Sequence, residues 1–77
     1  MLTGKRFRLE RATLSIEAID GKRTAVTVPT DAIIEVFSGP KNREGLVKVS
    51  WDGRTLQMFA VDVYARGIEI EDHTLSA

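Results

Sequence analysis

The side chains that most often carry enzyme chemistry are few in this sequence and stand apart. The chain holds one histidine, His73, and no cysteine, so a thiol nucleophile and a His- or Cys-based metal site are excluded. Its serines have no histidine predicted beside them, and it contains no Gly-x-Ser-x-Gly, phosphate-loop or dinucleotide-binding motif. Asp20 and Asp52 each precede a glycine, as in a turn, and Asp62 suits a helix start. We therefore expect no catalytic activity, no cofactor and no metal.

One pair of side chains suggests a recognition site. Trp51 and Arg54 flank Asp52-Gly53, so a two-residue turn sets them opposite each other and the guanidinium can stack on the indole. The pair is either a local structural stack or, together with Tyr64, the tip of a recognition surface.

Two further features favour protein binding. Phe37 and Phe59 fall on the face opposite the main apolar set of their strands, and an exposed aromatic pair would mark a protein-binding patch. Residues 38–45 form a polar loop that carries Lys41 and Arg43; it is either a binding loop or a solvated hairpin connection. The candidate protein-binding residues are Phe37, Lys41, Arg43, Trp51, Arg54 and Tyr64.

The N-terminal segment is basic although the chain as a whole is neutral. Eleven Lys and Arg balance eleven Asp and Glu, which argues against a polybasic protein that binds nucleic acid by bulk charge. Residues 1–30 nevertheless hold six basic and three acidic groups. This basic stripe is either a nucleic-acid-binding surface or an edge strand guarded by charge against aggregation. The candidate nucleic-acid-binding residues are Lys5, Arg6, Arg8, Arg11 and Arg23.

The elements that position these residues are strands. Val, Ile and Thr supply 20 of the 77 residues and fall in short runs between turn residues. Apolar and polar residues alternate in each run, as half-buried strands require, and no long stretch keeps a helical stripe. The alternation predicts inward side chains at Phe7 and Leu9, at Ala12, Leu14 and Ile16, at Val47, Val49 and Trp51, at Leu56, Met58 and Ala60, and at Ile68 and Ile70.

Two Asp-Gly pairs predict hairpins, and the apolar pattern selects their registers. A two-residue type I′ turn at Asp52-Gly53 pairs Trp51 with Arg54 and Val49 with Leu56. At Asp20-Gly21 the same test selects a three-residue loop, residues 19–21 with a G1 bulge. That loop pairs Leu14 with Val26 and sets Glu17 opposite Arg23.

The remaining connections follow from phase and turn residues. The apolar phase changes between Leu9 and Ala12, which predicts a bulge or bend near residues 10–11. Residues 33–37 pair with residues 46–50 if Phe37 faces Leu46. Residues 62–67 predict one helical turn, followed by a strand over residues 67–71 and a frayed tail over residues 72–77.

This order of elements resembles the SH3-like small barrel, in which a 3₁₀ turn precedes the closing strand and the first and last strands are neighbours. The resemblance implies an all-β fold, a small SH3-like barrel of five to seven short antiparallel strands with one helical (3₁₀) turn before the last strand, in a single domain over residues 1–77. The chain lacks the aromatic cluster of the polyproline-binding SH3 domains. Asp52-Gly53-Arg54, residues 59–62 and Arg66-Gly67 are also similar to short bacterial proteins of unassigned function.

The longest apolar run has four residues, so we expect no membrane span and a cytoplasmic protein. A core this small is marginally stable, and self-association would support it. The leading hypothesis is a non-catalytic interaction module that binds another protein or itself. The alternative is a protein that binds RNA or DNA through the basic stripe.

Overall fold

The computed structural model describes residues 4–39 and 45–70, which form seven strands and one helix. All strand pairs are antiparallel, in one sheet of order β3-β2-β6-β5-β4-β1-β7. This confirms the all-β class. The elements are β1 Arg6–Leu9, β2 Thr13–Ile19, β3 Lys22–Val28, β4 Ile33–Ser38, β5 Leu46–Trp51, β6 Arg54–Phe59, α1 Ala60–Arg66 and β7 Gly67–Ile70.

The sheet is open. In the described part of the chain β3 and β7 each pair with one neighbour only, so they are the two sheet edges. A closed SH3-like barrel is therefore not confirmed. The expectation that the first and last strands are neighbours is confirmed, because β1 pairs with β7 along its full length.

The core lies on the inward face of the bent sheet. The inward positions of β1 carry Phe7 and Leu9, as predicted, and α1 covers one end of the core with Ala60 and Val63. The buried apolar residues are Phe7, Leu9, Val28, Ile34, Val36, Val47, Val49, Leu56, Met58, Ala60 and Val63. Every strand except β2 and β7 contributes an apolar side chain to this core.

The β5–β6 hairpin confirms the prediction. Trp51 lies opposite Arg54, and Val49 lies opposite Leu56. Asp52 and Gly53 have φ values of 52° and 73°, the left-handed conformation that both central residues of a type I′ turn require.

The predicted β2–β3 register is wrong. The turn has two residues, because Ile19 lies opposite Lys22 and Ser15 opposite Val26. Leu14 therefore faces Thr27 rather than Val26, and it is 57% exposed.

Two hydroxyl residues occupy the inward positions of β2 instead. Thr13 and Ser15 are each 1% exposed. The Thr13 hydroxyl donates to the Arg11 carbonyl at 2.9 Å, and the Ser15 hydroxyl donates to the Val26 carbonyl at 2.7 Å. Because each hydroxyl is hydrogen-bonded to the backbone, neither side chain pays the full penalty of burying a polar group.

This reversal also removes the predicted phase change. Ala12 is exposed and lies between strands, so the inward residues are odd-numbered both before the bend (Phe7 and Leu9) and after it (Thr13 and Ser15). Residues 10–12 are a bend that separates β1 from β2, since the two strands do not pair with each other.

The β4–β5 register differs from the prediction by two residues. Val36 lies opposite Val49 and Glu35 opposite Ser50, with a register shift between Val36 and Ser38. The shift makes Phe37 the extra residue of a bulge, so it does not face Leu46. A shift of two residues keeps every side chain on its face, which is why the apolar pattern did not detect it.

The helix before the last strand is confirmed as an element, but it is a seven-residue α-helix rather than one 3₁₀ turn. It begins at Ala60, so Asp62 lies in its first turn and is not the N-cap. Gly67 has φ −111° and is not left-handed. A side chain there would place Cβ 2.8 Å from the Val63 carbonyl oxygen and 3.2 Å from Cβ of Phe7, so the close approach of the last turn of α1 and of β1 accounts for the glycine. The predicted tail, residues 72–77, lies outside the described residues.

Candidate interaction surface

The Trp51–Arg54 stack forms as predicted. The guanidinium carbon of Arg54 lies 5.9 Å from the centroid of the Trp51 ring, within the range of a cation–π contact. The β5–β6 turn creates this contact because it sets the two residues directly opposite each other.

Arg54 also binds a carboxylate on the neighbouring strand. Its Nε and Nη2 atoms donate to Glu17 at 3.0 and 2.5 Å, a bidentate geometry. The hydrogen bond from Arg54, and then its charge, lower the pKa of Glu17, against partial desolvation. The same hydrogen bond raises the pKa of Arg54. Glu17 therefore lies beside Arg54 rather than opposite Arg23 as predicted, and the bond joins β2 to the β5–β6 turn.

The predicted protein-binding residues that the structure describes lie on different elements. Tyr64 lies on α1, which follows the far end of β6, five residues beyond Arg54; a strand of that length spans about 17 Å. Phe37 lies in the bulge of β4 and is 45% exposed. Lys41 and Arg43 lie outside the described residues. The stack of Trp51 and Arg54 is thus separate from Tyr64.

The residues of the basic stripe also lie on different elements, and two of them are paired with acidic side chains. Lys5 binds Glu69 at 3.4 Å and Arg8 binds Asp31 at 3.3 Å, so two of its cations are in exposed ion pairs. Arg23 lies on β3, which four other strands separate from β1 in the sheet.

Arg6 faces outward opposite Glu35, and Arg11 is exposed in the bend after β1. The acidic partners lower the net charge of this surface. Nucleic-acid binding stays a prediction.

The described residues contain no group of three or more acidic or histidine side chains that could hold a metal ion. His73 lies outside those residues. In the same part of the chain no helix is long and apolar enough to cross a membrane. The predicted cytoplasmic location stays a prediction.

The most exposed structured element is the outer half of the β2–β3 hairpin. Thr13, Ser15 and Val28 bury the base of the hairpin against the core. Beyond Glu17, every residue from Ala18 to Ala25 is exposed. We call residues 18–25 the arm. The molecule measures 42 × 25 × 22 Å, so it is elongated, and two links fix the arm near its base: the Ile16–Gln57 strand pair and the Glu17–Arg54 bond.

One side of the arm presents free backbone groups. The pair Ile19–Lys22 closes the turn and is hydrogen-bonded, as is usual for a two-residue hairpin. Hydrogen-bonded pairs then alternate along the ladder, so Thr24 and Val26 point their N–H and C=O groups toward β2. The backbone groups of Arg23, Ala25 and Thr27 point the other way, to an edge that no strand of the described chain covers.

The outward face of the sheet carries a second exposed feature. Phe59 is 45% exposed and lies opposite the half-buried Leu46. Leu14 on the next strand is 57% exposed, and Ile68 at the other edge faces outward beside Arg8 and is 43% exposed, against the prediction that it points inward.

The sequence predicts one strand of the arm. The run Lys22–Val28 is rich in β-branched residues and ends before Pro29, which predicts a strand. Its edge position could not be read from the sequence, because edge status depends on strand order.

The chain was compared with protein-family models, with curated proteins and with solved structures, and none of the three comparisons found a match.

Proposed function

We propose that this protein is a non-catalytic protein-interaction module with an SH3-like fold, and that it binds an extended strand of its partner along the edge of β3. Three features support the fold assignment: the pairing of the first strand with the last, the β4–β5–β6 meander, and the helix directly before β7.

The observation that carries the function is the free edge of the arm. An edge strand offers a row of unpaired N–H and C=O groups, and natural proteins usually shorten, cover, charge or interrupt such edges. Here β3 has seven residues and no proline, its charged residues Lys22 and Arg23 stand only at the end next to the turn, and within the described chain nothing covers it. A partner strand would satisfy the backbone groups of Arg23, Ala25 and Thr27.

The arm is also an element that gains from a partner. A two-stranded ribbon is marginally stable by itself, and a third strand provides the missing neighbours. The side chains along the edge suit a neighbouring strand, because Ala25 is small and Thr24 and Val26 are β-branched, a class of residue enriched in strands. Backbone hydrogen bonds would provide affinity, and the side chains on each face would provide selectivity.

The Glu17–Arg54 bond has a role in this proposal. It fixes the base of the arm to the β5–β6 turn, so the edge is held in place before the partner arrives. Such preorganisation reduces the entropy lost on binding. The Trp51–Arg54 stack then supports the guanidinium that holds the arm.

The test is a peptide-display selection with wild-type protein as bait and Ala25→Pro as counter-bait. Proline at position 25 removes an N–H that points to the edge and leaves the β2 ladder intact, so the domain is expected to stay folded. Thr24→Pro is the matched disruptive control, because the Thr24 N–H belongs to the β2 ladder.

The expected peptides bind the wild type, bind Ala25→Pro at least tenfold more weakly, and shift the amide NMR signals of Arg23, Ala25 and Thr27. Peptides that bind both proteins equally, or that shift only the Trp51–Arg54 region, would show that another surface carries the interaction.

A further inference from the structure

The edge of β3 is complementary to itself. We propose that the partner strand is the β3 edge of a second copy of this chain, paired antiparallel about a twofold axis at Ala25. This inference rests on the proposed function and adds the identity and the register of the partner.

Hydrogen bonding selects the register. With the axis at Ala25, this residue pairs with its own copy, and Arg23 pairs with Thr27 of the second copy in both directions. These are the residues of β3 whose backbone groups point to the edge, so each of the three pairs exchanges two N–H···O=C bonds. The neighbouring registers do worse. An axis at Thr24 leaves Thr27 opposite the turn residue Gly21, and an axis at Val26 sets Arg23 opposite Pro29, which has no N–H.

Charge favours the same register. An axis at Arg23 would set two guanidinium groups directly opposite each other, which is destabilising. The axis at Ala25 sets Arg23 opposite Thr27 and Lys22 opposite Val28. The two Arg23 residues are then four strand positions apart, about 14 Å, farther than the screening length of about 8 Å at physiological salt.

Side chains are compatible on both faces. On the outward face two alanines meet at the axis, so no bulky group blocks the approach. On the other face Thr24 lies opposite Val26 of the second copy, a favourable β-branched cross-strand pair. The other sheet edge is a poorer candidate, because β7 has four residues against seven in β3.

A ladder of this length is a small interface, and we expect a weak, reversible dimer. A covalent trap is therefore the suitable probe. The chain has no cysteine, so single cysteine variants report without background. The probe is a short bis-maleimide linker, with products separated by denaturing electrophoresis.

Ala25→Cys places two thiols at the axis, where the Cα atoms of a hydrogen-bonded pair lie about 5.5 Å apart. Ala18→Cys is the matched control. It makes the same substitution on an exposed residue of the same arm, on the same face, one strand away from the edge. Its two copies would lie about 20 Å apart, from three strand spacings and four residue steps.

We expect Ala25→Cys to cross-link at least tenfold faster than Ala18→Cys. Arg23→Cys and Thr27→Cys provide the register test: each alone should cross-link slowly, and a mixture of the two should cross-link fast. Equal rates for Ala25→Cys and Ala18→Cys, or a faster rate for Ala18→Cys, would overturn the proposal.

The proposed function can fail separately. If Ala25→Cys does not cross-link faster than the control but selected peptides still shift the edge amides, the self-pairing is wrong and the interaction module stands. If peptides also fail to bind the edge, both are wrong.

Discussion

Replacing leucine by alanine on two neighbouring strands tests the orientation of β2. Leu14 on β2 is 57% exposed, and Leu56 on β6 is fully buried. Full burial of a leucine side chain contributes about 1.5–3 kcal/mol, so the buried two-fifths of Leu14 contributes about 1 kcal/mol, with no cavity left behind. Leu56→Ala removes a core side chain and is expected to cost about 2–5 kcal/mol. The sequence pattern alone predicts that both residues are core residues and that both changes cost alike.

The assay is urea unfolding followed by Trp51 fluorescence, with dilute protein so that association does not add to stability. For a slope of about 1 kcal/mol/M, the unfolding midpoint should fall by about 1 M or less for Leu14→Ala and by about 2 M or more for Leu56→Ala. A fall for Leu14→Ala as large as that for Leu56→Ala would show that β2 turns its leucine inward, and the β2–β3 register would be wrong.

Three further changes test single contacts, each read as the free energy of unfolding in urea. Gly53→Ala should cost about 1 kcal/mol, because Gly53 has φ +73° with nothing within 4 Å of an added Cβ, so the penalty is purely conformational; no loss would argue against the type I′ turn. Gly67→Ala should cost about 1–3 kcal/mol for a different reason, since the Gly67 backbone is ordinary but the new Cβ meets the Val63 carbonyl oxygen at 2.8 Å. A neutral result would mean that the last turn of α1 and Phe7 lie farther from residue 67. Glu17→Gln should lower the free energy of unfolding at pH 7. Because Arg54 lowers the pKa of Glu17 in the folded state, the loss of stability relative to wild type should be complete above about pH 4.5 and vanish as the pH falls through the folded pKa. A loss that persists at low pH would mean that the ion pair is not its source.

The sequence predicted the parts of the fold in which local chemistry and apolar pattern agree. At Asp52-Gly53 the turn residues and the facing pairs select one register, and the structure has it. The inward positions Phe7 and Leu9 were correct for the same reason.

The orientation of β2 could not be predicted from alternation. Alternation treats Thr13 and Ser15 as polar and Leu14 as a core residue. Each of the two hydroxyls, however, donates a hydrogen bond to a nearby backbone carbonyl and can therefore be buried. A core position for Leu14 also implies a three-residue loop at Asp20-Gly21, because only that loop brings Leu14 opposite Val26; with Leu14 on the outward face, the two-residue turn fits.

The candidate site was predictable only where it is local. The Trp51–Arg54 contact follows from one turn, but the Glu17–Arg54 bond joins residues 37 positions apart in the sequence. It depends on β6 lying beside β2, which no local pattern reveals. The free edge of β3 depends on strand order in the same way, so the surface proposed for binding could not be predicted from the sequence.

The most direct test of the account is residue-resolved amide hydrogen exchange, measured by NMR over a range of protein concentrations. The amides of Thr24 and Val26 should be better protected than the edge amides in dilute protein, because they belong to the β2 ladder. Those of Arg23, Ala25 and Thr27 should exchange rapidly in dilute protein and become protected as the concentration rises. Edge amides that stay unprotected in concentrated protein would contradict the pairing of β3 with a second copy.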